Sequence, residues 1–329
     1  MATLEVSFLN SQLQERKHRL EQAITLAPQH AGLAGLLREV DSALERMDRG
    51  TYGLCETCHE PVEGDRLLAD PLVRYCLDHL TPPQRDALQR DLDLASQLQR
   101  NLLPQVGLQS GGWETSYHYE PVGPVSGDYC DLIPSDGHLF FVLGDVSGKG
   151  VAACMLMTQL HALFRSLTKM SLPLGQMVSQ ANRVFCESAL AGQYVTVVCG
   201  QAKPTGEVEI HNAGHLPAIV VGKGGVLRIE STGVPLGMFS EVEFSATRLQ
   251  MEVGDTMFLY TDGLSEASNA QNEYGVERVT QLVRQRCVGP PAQLIAACLE
   301  DLRSFEKGGA RFDDLTLLAI RRVGPSATN

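Results

Sequence analysis

Four aspartates stand where an apolar strand gives way to a turn. They are Asp128 in SGDYCDLI, Asp145 in FFVLGDVSGKG, Asp262 in MFLYTDG and Asp313, followed by Asp314, in RFDDLTLLAI. A strand end fixes the backbone while the adjoining turn leaves the carboxylate free to face a cleft, so four such ends can converge on one site. Convergent carboxylates repel one another unless cations lie between them, and all-oxygen ligands suit Mg²⁺ or Mn²⁺ better than soft metals. A single aspartate at a strand end usually serves a turn or a helix cap. Four together, each beside Gly or another Asp, exceed that use. GDVSGKG is not a nucleotide phosphate loop, because GxxxxGK[ST] requires Ser or Thr after the lysine and Gly150 stands there. Lys149 reads as a surface or phosphate-near residue.

A second group has metal-ligand spacing. Cys55 and Cys58 are separated by two residues, as are Cys76 and His79, and seventeen residues lie between the pairs. Thiolate and imidazole suit the tetrahedral preference of Zn²⁺, and four protein ligands close a structural site. His59 could compete with His79, although it adjoins Cys58. A redox dithiol at Cys55 and Cys58 is the alternative, but no thioredoxin-like βαβ pattern surrounds it.

The elements that must position these groups fall into two textures. Residues 12 to 50 read as two helices around a break at Ala27-Pro28-Gln29-His30, because proline and the residue before it disfavour helix. After the Cys/His segment, TPP at 81 to 83 opens a third helix running to about Leu103. Its Leu88, Leu92, Ala95, Leu98 and Leu102 form one stripe, suited either to packing on its own domain or to a short parallel coiled coil between two chains. From Gly107 onward, β-rich runs (SYHYEPV, HLFFVLGDV, YVTVVCGQA, EVEIHNA, AIVVG, TMFLYTDG, DLTLLAIRRV) alternate with helices over 151–170, 174–190, 275–287 and 291–307. Hairpin-like neighbours such as QAKPTGEVEI and VVGKGGVLRI imply antiparallel pairing, with helices layered on sheet.

The 329 residues suffice for about two domains, and a hydrophobic content of 43% supports real cores. The net charge of −12 argues against a broad nucleic-acid-binding face. The N-terminus lacks the pattern of a leader, and no run approaches the ~18 apolar residues of a membrane span, so a cytoplasmic protein is expected. Nine cysteines, mostly in apolar runs (Cys154, Cys199, Cys298), suit reduced thiols.

The stretch DRGTYGLCETCHEPVEGDRLLADPLVRYCLDH resembles the DksA/TraR-type zinc finger with its preceding helical hairpin, over roughly residues 12 to 80. His79 stands where that family usually has a fourth cysteine. The hairpin tip near Pro28 lacks the acidic residues with which relatives act inside RNA polymerase, so polymerase binding is not expected. Further on, SGDYCDLI, GDVSGKGVAACMLM, HNAGHLPAIV, TGVPLGM, LYTDGLSEASN, YGVERV and FDDLTLLAI follow one another as in the PPM family of metal-dependent protein serine/threonine phosphatases, in its bacterial stage II sporulation protein E (SpoIIE) form. That resemblance covers about residues 107 to 323, and DLDLASQLQRNLLP before it is similar to the helix that precedes such domains.

The resemblance implies that Asp145 bridges two metal ions, Mn²⁺ or Mg²⁺, with the carbonyl of Val146 on one of them. It implies that Asp262 and Asp313 hold the other ion, and that Asp128 supports the site directly or through water. Asp314 is the weaker choice of its pair, since the first acidic residue ligates in the family. Two cations would acidify a water for in-line attack on phosphorus, with no phosphoenzyme. His215 in NAGHLP could protonate the leaving group or close a turn. No arginine stands in SYHYEPVGPVSGDY to clamp the phosphate, which leaves specificity to protein docking.

The expected fold is α+β: a PPM phosphatase α-β-β-α sandwich of two antiparallel sheets, preceded by a helical hairpin with a small zinc finger. The expected domains are 1–80 (hairpin and finger), 81–106 (helical linker), 107–323 (phosphatase) and 324–329 (tail). The expected function is dephosphorylation of a phosphoserine or phosphothreonine protein in bacterial partner switching, the substrate being a phosphorylated anti-sigma-factor antagonist. A homodimer through the linker helix fits this reading, and neither membrane nor nucleic acid is an expected partner. The competing readings are a zinc-finger regulator or scaffold with a catalytically inactive phosphatase domain, and a small-molecule phosphatase.

Overall fold

The computed structural model describes residues 3–26, 31–135, 137–170, 172–189, 192–269, 272–307, 311 and 313–324. The expected break at Ala27-Pro28-Gln29-His30 and residues 325–329 of the tail lie outside the described residues. The chain divides into two compact units, Met1–Asp91 and Leu92–Asn329, with the division inside a helix.

In the first unit, α1 (Thr3–Leu26) and α2 (Ala31–Asp48) pack as a hairpin through Leu13, Val40 and Ala43, and Lys17 Nζ lies 2.7 Å from Asp41 Oδ1. Helix α1 begins nine residues earlier than the sequence pattern suggests. The finger carries the short α3 (Gly64–Ala69) and shares an apolar cluster of Leu9, Val62, Leu67, Cys55 and Cys76 with α1. Helix α4 (Pro82–Arg100) opens at the expected prolines. Gln84 Oε1 accepts both the backbone N–H (3.1 Å) and the hydroxyl (2.8 Å) of Thr81, satisfying donors that the first turn leaves open.

In the second unit the chain runs β1 (Gln109–Ser110), β2 (Trp113–Glu120), β3 (Asp128–Ser135), β4 (His138–Val146), α5 (Gly150–Leu167), α6 (Leu174–Ser188), β5 (Val195–Ala202) and β6 (Glu207–Ala213). It continues with β7 (Ala218–Gly222), β8 (Gly225–Ile229), β9 (Ala246–Gln250), β10 (Thr256–Tyr260), α7 (Asp262–Ser265), α8 (Val276–Arg286), α9 (Pro291–Glu306) and β11 (Leu315–Arg322). One sheet has the order β3-β4-β5-β6-β9 and the other β1-β2-β11-β10-β7-β8, and the strand pairs are antiparallel. The hairpins expected at QAKPTGEVEI and VVGKGGVLRI are β5–β6 and β7–β8.

Side-chain alternation explains the layers. In β4, Leu139, Phe141 and Leu143 enter the core between the sheets, while Phe140, Val142 and Val146 pack under α5 and α6. The strand is apolar on both faces because both faces are covered, which is why it reads as a continuous apolar run. Residues such as Phe258 and Leu317 bury the outer face of the other sheet against α8 and α9. Each large side chain so buried contributes about 1.5–3 kcal/mol. The expected α-β-β-α sandwich is the observed architecture. Among the described residues no helix is long and apolar enough to cross a membrane.

Candidate active site and zinc centre

The strand register assembles one wall of the site. Asp128 of β3 pairs with Asp145 of β4, which pairs with Thr196 of β5, so three polar residues form a row across one end of the five-stranded sheet. Alternation puts Asp145 on the same face as Leu143 and Phe141, so it looks toward the second sheet. That sheet supplies the opposite wall. Tyr260 of β10 pairs with Leu317 of β11, and just beyond this pairing stand Thr261, Asp262, Asp313 and Asp314.

Asp128 joins the two walls. Its carboxylate is only 2% exposed, and Oδ2 accepts the hydroxyls of Thr261 (3.0 Å) and Thr316 (2.5 Å) from the other sheet. Burial, then the charge of Asp145, pushes its pKa well up, and the two hydroxyls oppose that shift. The expected supporting role fits this placement better than an open ligand position does.

Asp145 and Asp262 carry the electrostatic signature of the site. Burial, then the charges of Asp262, Asp313 and Asp314, pushes the Asp145 carboxyl up to about 7. Burial, then Asp313 and Glu266, pushes Asp262 up to about 6. These carboxylates are packed closer than their own charges favour, a strain that divalent cations relieve. The Val146 carbonyl faces the same space: a Cβ at Gly127 would stand 3.0 Å from Val146 O and 3.6 Å from Asp145 Oδ1, so glycine there keeps both oxygens clear. Oxygen donors alone, mutually repelling and half-buried, fit Mn²⁺ or Mg²⁺.

The two adjacent aspartates do different work. Asp313 Oδ2 lies 2.8 Å from Lys149 Nζ of the loop after β4, so its carboxylate faces the Asp145 side. The carboxylate of Asp314 is occupied by backbone: Oδ1 accepts the Val122 N–H (2.7 Å) and Oδ2 the Gly127 N–H (3.3 Å). Asp314 therefore shapes the loop that delivers Asp128. Gly263 lets this strand approach α7, since a Cβ there would lie 2.0 Å from Asp314 O. The loop after Asp145 is fixed by a reciprocal pair, Ser147 N–H to Tyr194 O and Tyr194 N–H to Ser147 Oγ, both 2.9 Å.

His215 closes a turn. Its ring is buried, with Nδ1 2.8 Å from Thr196 Oγ1 and Nε2 3.1 Å from Tyr260 O, and burial lowers its pKa to about 4. Asn212 Oδ1 accepts its backbone N–H (2.9 Å). Both ring nitrogens are engaged, with the Nε2 proton donated to the Tyr260 carbonyl, so His215 is held away from proton transfer to a leaving group.

Thr261, Thr316, Ser126 and Gln99 carry no signal in the residue pattern alone. Gln99 of α4 is 4% exposed, and Ser126 Oγ accepts the Asp128 N–H (3.0 Å). A buried glutamine in a charged helix carries no distinguishing spacing; only the contact reveals it.

In the first unit, Cys55, Cys58, Cys76 and His79 bring one ligand atom each to within 4.8 Å of one another, the only such group among the described residues. The sulfurs of Cys58 and Cys76 are 3.8 Å apart, matching the edge of about 3.8 Å in a tetrahedron with ~2.3 Å Zn–S bonds. Nδ1 of His79 lies 3.1 Å from Cys76 Sγ. Burial raises the Cys55 thiol, but backbone N–H groups of Cys58, Cys76 and Thr57 outweigh it and hold it down to about 6. Burial and the neighbouring Cys55 and Cys58 sulfurs push Cys76 up to about 11. The set fits zinc. His59 is exposed, in a left-handed conformation (φ 60°), outside the cluster.

A family model described as Stage II sporulation protein E (SpoIIE) matches residues 135–323, a span containing Asp145, Val146, Asp262 and Asp313 but not Asp128. A second, described as a prokaryotic dksA/traR C4-type zinc finger, matches residues 50–78 and stops one residue before His79. Protein IcfG of Synechocystis sp. is 25% identical over 270 residues, covering 72% of this chain and 42% of that protein. Phosphoserine phosphatase RsbU of Bacillus subtilis is 20% identical over 238 residues, 71% of each. The solved SiaA-PP2C domain of Pseudomonas aeruginosa superposes with a TM-score of 0.63 at 16% identity, covering 72% of this chain and 97% of that one, a likeness of fold.

Proposed function

The chain belongs to the Stage II sporulation protein E (SpoIIE) family, whose model spans more than half of it, and from that premise we propose that it is a metal-dependent phosphoserine/phosphothreonine protein phosphatase. What supports this reading is that Asp128 pairs with Asp145 across the sheet and that Asp145, Asp262 and Asp313 feel one another's charge, with Asp145 and Asp262 raised to about 7 and about 6, although their oxygens are not gathered as closely as the ligand atoms of the Cys/His group.

In this reading Asp145, the Val146 carbonyl, Asp262 and Asp313 would hold two Mn²⁺ or Mg²⁺ ions. Bound divalent cations supply counter-charge and a water acidified toward neutrality for attack on phosphorus. Asp128 stays buried and sets the position of Asp145 through the strand pairing. Lys149, on the open side of the site, is placed to leave Asp313 for a phosphate oxygen once the carboxylates are neutralised. His215 holds the floor of the site and transfers no proton.

The substrate is a phosphoprotein, docked through its own surface because no arginine precedes Asp128 in SYHYEPVGPVSGDY. The likeness to a phosphoserine phosphatase supports phosphoserine chemistry; the finer reading is a phosphorylated anti-sigma-factor antagonist in partner switching, in the cytoplasm. The chain spans only 42% of IcfG, so the remainder of that protein's activity is not carried over. Of the expected stripe, Leu102 packs on the core of its own domain while Leu98 is 59% exposed; Leu98, with Leu94 beside it at 55%, supports pairing of this helix with its counterpart in a second copy. The finger holds one structural zinc and belongs to the regulatory part, within the boundaries 1–80, 81–106 and 107–323.

The deciding experiment measures phosphate release from a serine-phosphorylated anti-sigma-factor antagonist by full-length protein in Mn²⁺ or in EDTA, beside Asp145→Asn. Release in Mn²⁺ alone, abolished in the variant, is expected. No release by wild type that binds Mn²⁺ would favour the scaffold reading. Equal turnover of p-nitrophenyl phosphate would favour a small-molecule phosphatase.

A further inference from the structure

The first unit contains a cavity of about 960 Å³ between the helical hairpin, the finger and the first turns of α4. Four guanidiniums line it, Arg16, Arg38, Arg66 and Arg74, against two carboxylates, Glu39 and Asp70. In a chain of net charge −12 this is a local reversal of sign.

Two of the arginines are already engaged. Arg66 Nη1 donates to Glu63 Oε2 (3.1 Å) and to the Tyr75 carbonyl (2.9 Å), and Arg74 forms a bidentate pair with Glu56 (2.6 and 2.5 Å). Asp70 Oδ1 is occupied by the Leu72 N–H (3.0 Å). Arg16 of α1 and Arg38 of α2 have no hydrogen-bonding or ion-pair partner among the described residues. Two helices thus bring unpaired planar forks to one space, the geometry that takes phosphate oxygens bidentately. The remaining lining mixes the polar Ser42 and Gln84 with Leu72, Val73, Leu80, Leu88 and the Tyr75 ring, over which the Arg74 guanidinium lies at 5.8 Å.

We propose that this cavity binds a small organic phosphate of nucleotide size, its phosphates on Arg16 and Arg38 and its organic body against Tyr75 and the leucines. The volume lies at the upper end of the ~300–1,000 Å³ typical of small-molecule pockets. An acidic peptide would call for cations spaced along one element, whereas these converge from separate helices. Gln84 and Leu88 belong to α4, so an occupant touches the helix whose other end carries Gln99.

The test is calorimetric titration of full-length, zinc-loaded protein with ADP and with GDP, and with pyrophosphate and a glutamate-rich peptide for comparison. Mn²⁺ and Mg²⁺ are omitted so that the carboxylate site cannot hold phosphate through a cation. Saturable binding of at least one nucleotide is expected, tighter than pyrophosphate and weakened at least tenfold by Arg16→Ala/Arg38→Ala. Zinc content and far-UV circular dichroism should be unchanged, because neither arginine supports another group. Binding indifferent to the double variant, or no nucleotide binding at all, would overturn the proposal. Pyrophosphate binding as tightly as either nucleotide would remove the organic body from it, and binding of the peptide alone would reassign the cavity to a protein partner.

Discussion

Gln99 and Ser126 are joined by two hydrogen bonds running in opposite directions: Gln99 Nε2 donates to Ser126 O (2.7 Å), and Ser126 N–H donates to Gln99 Oε1 (3.0 Å). Because Ser126 Oγ in turn accepts the Asp128 N–H, the last turn of α4 is fastened two residues from a carboxylate of the candidate site. Gln99→Ala leaves both Ser126 backbone groups unsatisfied in a buried place, at a cost of about 1–3 kcal/mol for each. We expect phosphate release to fall at least tenfold while Mn²⁺ still binds. If Gln99→Ala lowers the melting temperature and leaves the rate alone, the clamp is structural only.

The neighbours Asp313 and Asp314 should separate in their effects. Asp313→Asn removes a carboxylate that faces the Asp145 side and should abolish both activity and the thermal stabilisation by Mn²⁺. Asp314→Asn keeps one acceptor oxygen for Val122 or Gly127 but not two, so it should cost about 1–3 kcal/mol of stability and retain the Mn²⁺ response. Melting curves with and without Mn²⁺ check this, and the opposite pattern would exchange the two roles.

Crowded carboxylates make stability depend on pH and metal. Asp145 is raised to about 7 and Asp262 to about 6 from an ordinary value near 4, so the native state holds protons that the unfolded chain has released. Their protonated forms favour the native state fully below pH about 4, and that advantage is lost as pH rises through 6 and 7. Asp145→Asn stays neutral throughout. In EDTA its melting temperature should gain on wild type by several degrees between pH 5 and 8, at about 1.4 kcal/mol per pKa unit. Mn²⁺ affinity of wild type should rise over the same interval, since binding displaces protons. A flat difference between the two proteins would mean that Asp145 is not crowded.

The candidate aspartates could be picked out from residue order because they sit at the ends of apolar strands, a pattern local in sequence. The layered sandwich was legible for the same reason: strands buried on both faces, such as β4, are near-continuous apolar runs. Strand β9 was missed since it lies at a sheet edge with alternate residues exposed and no apolar run, and β1 is only two residues long. Thr261 and Thr316 were missed because hydroxyls acquire a role only when two strands bring them to Asp128. The division of labour between Asp313 and Asp314 follows from a loop 187 to 192 residues away, which no local pattern encodes.

The zinc centre offers the most direct test of a departure in ligand type. His79 stands beside a matched C4-type finger, and its Nδ1 is 3.1 Å from Cys76 Sγ, so it completes the set in place of a thiolate. His79→Cys should therefore keep one zinc per full-length chain. Cys58→Ser removes a sulfur 3.8 Å from that of Cys76 and should release it. The finger's apolar cluster is small and includes Cys55 and Cys76 themselves, so losing the ion should unfold this segment rather than leave an empty site. Far-UV circular dichroism and bound zinc, measured together during chelation, distinguish the cases: ellipticity should fall in step with zinc loss. Full zinc retention in Cys58→Ser, or unchanged ellipticity after complete removal, would take the structural role away from the metal.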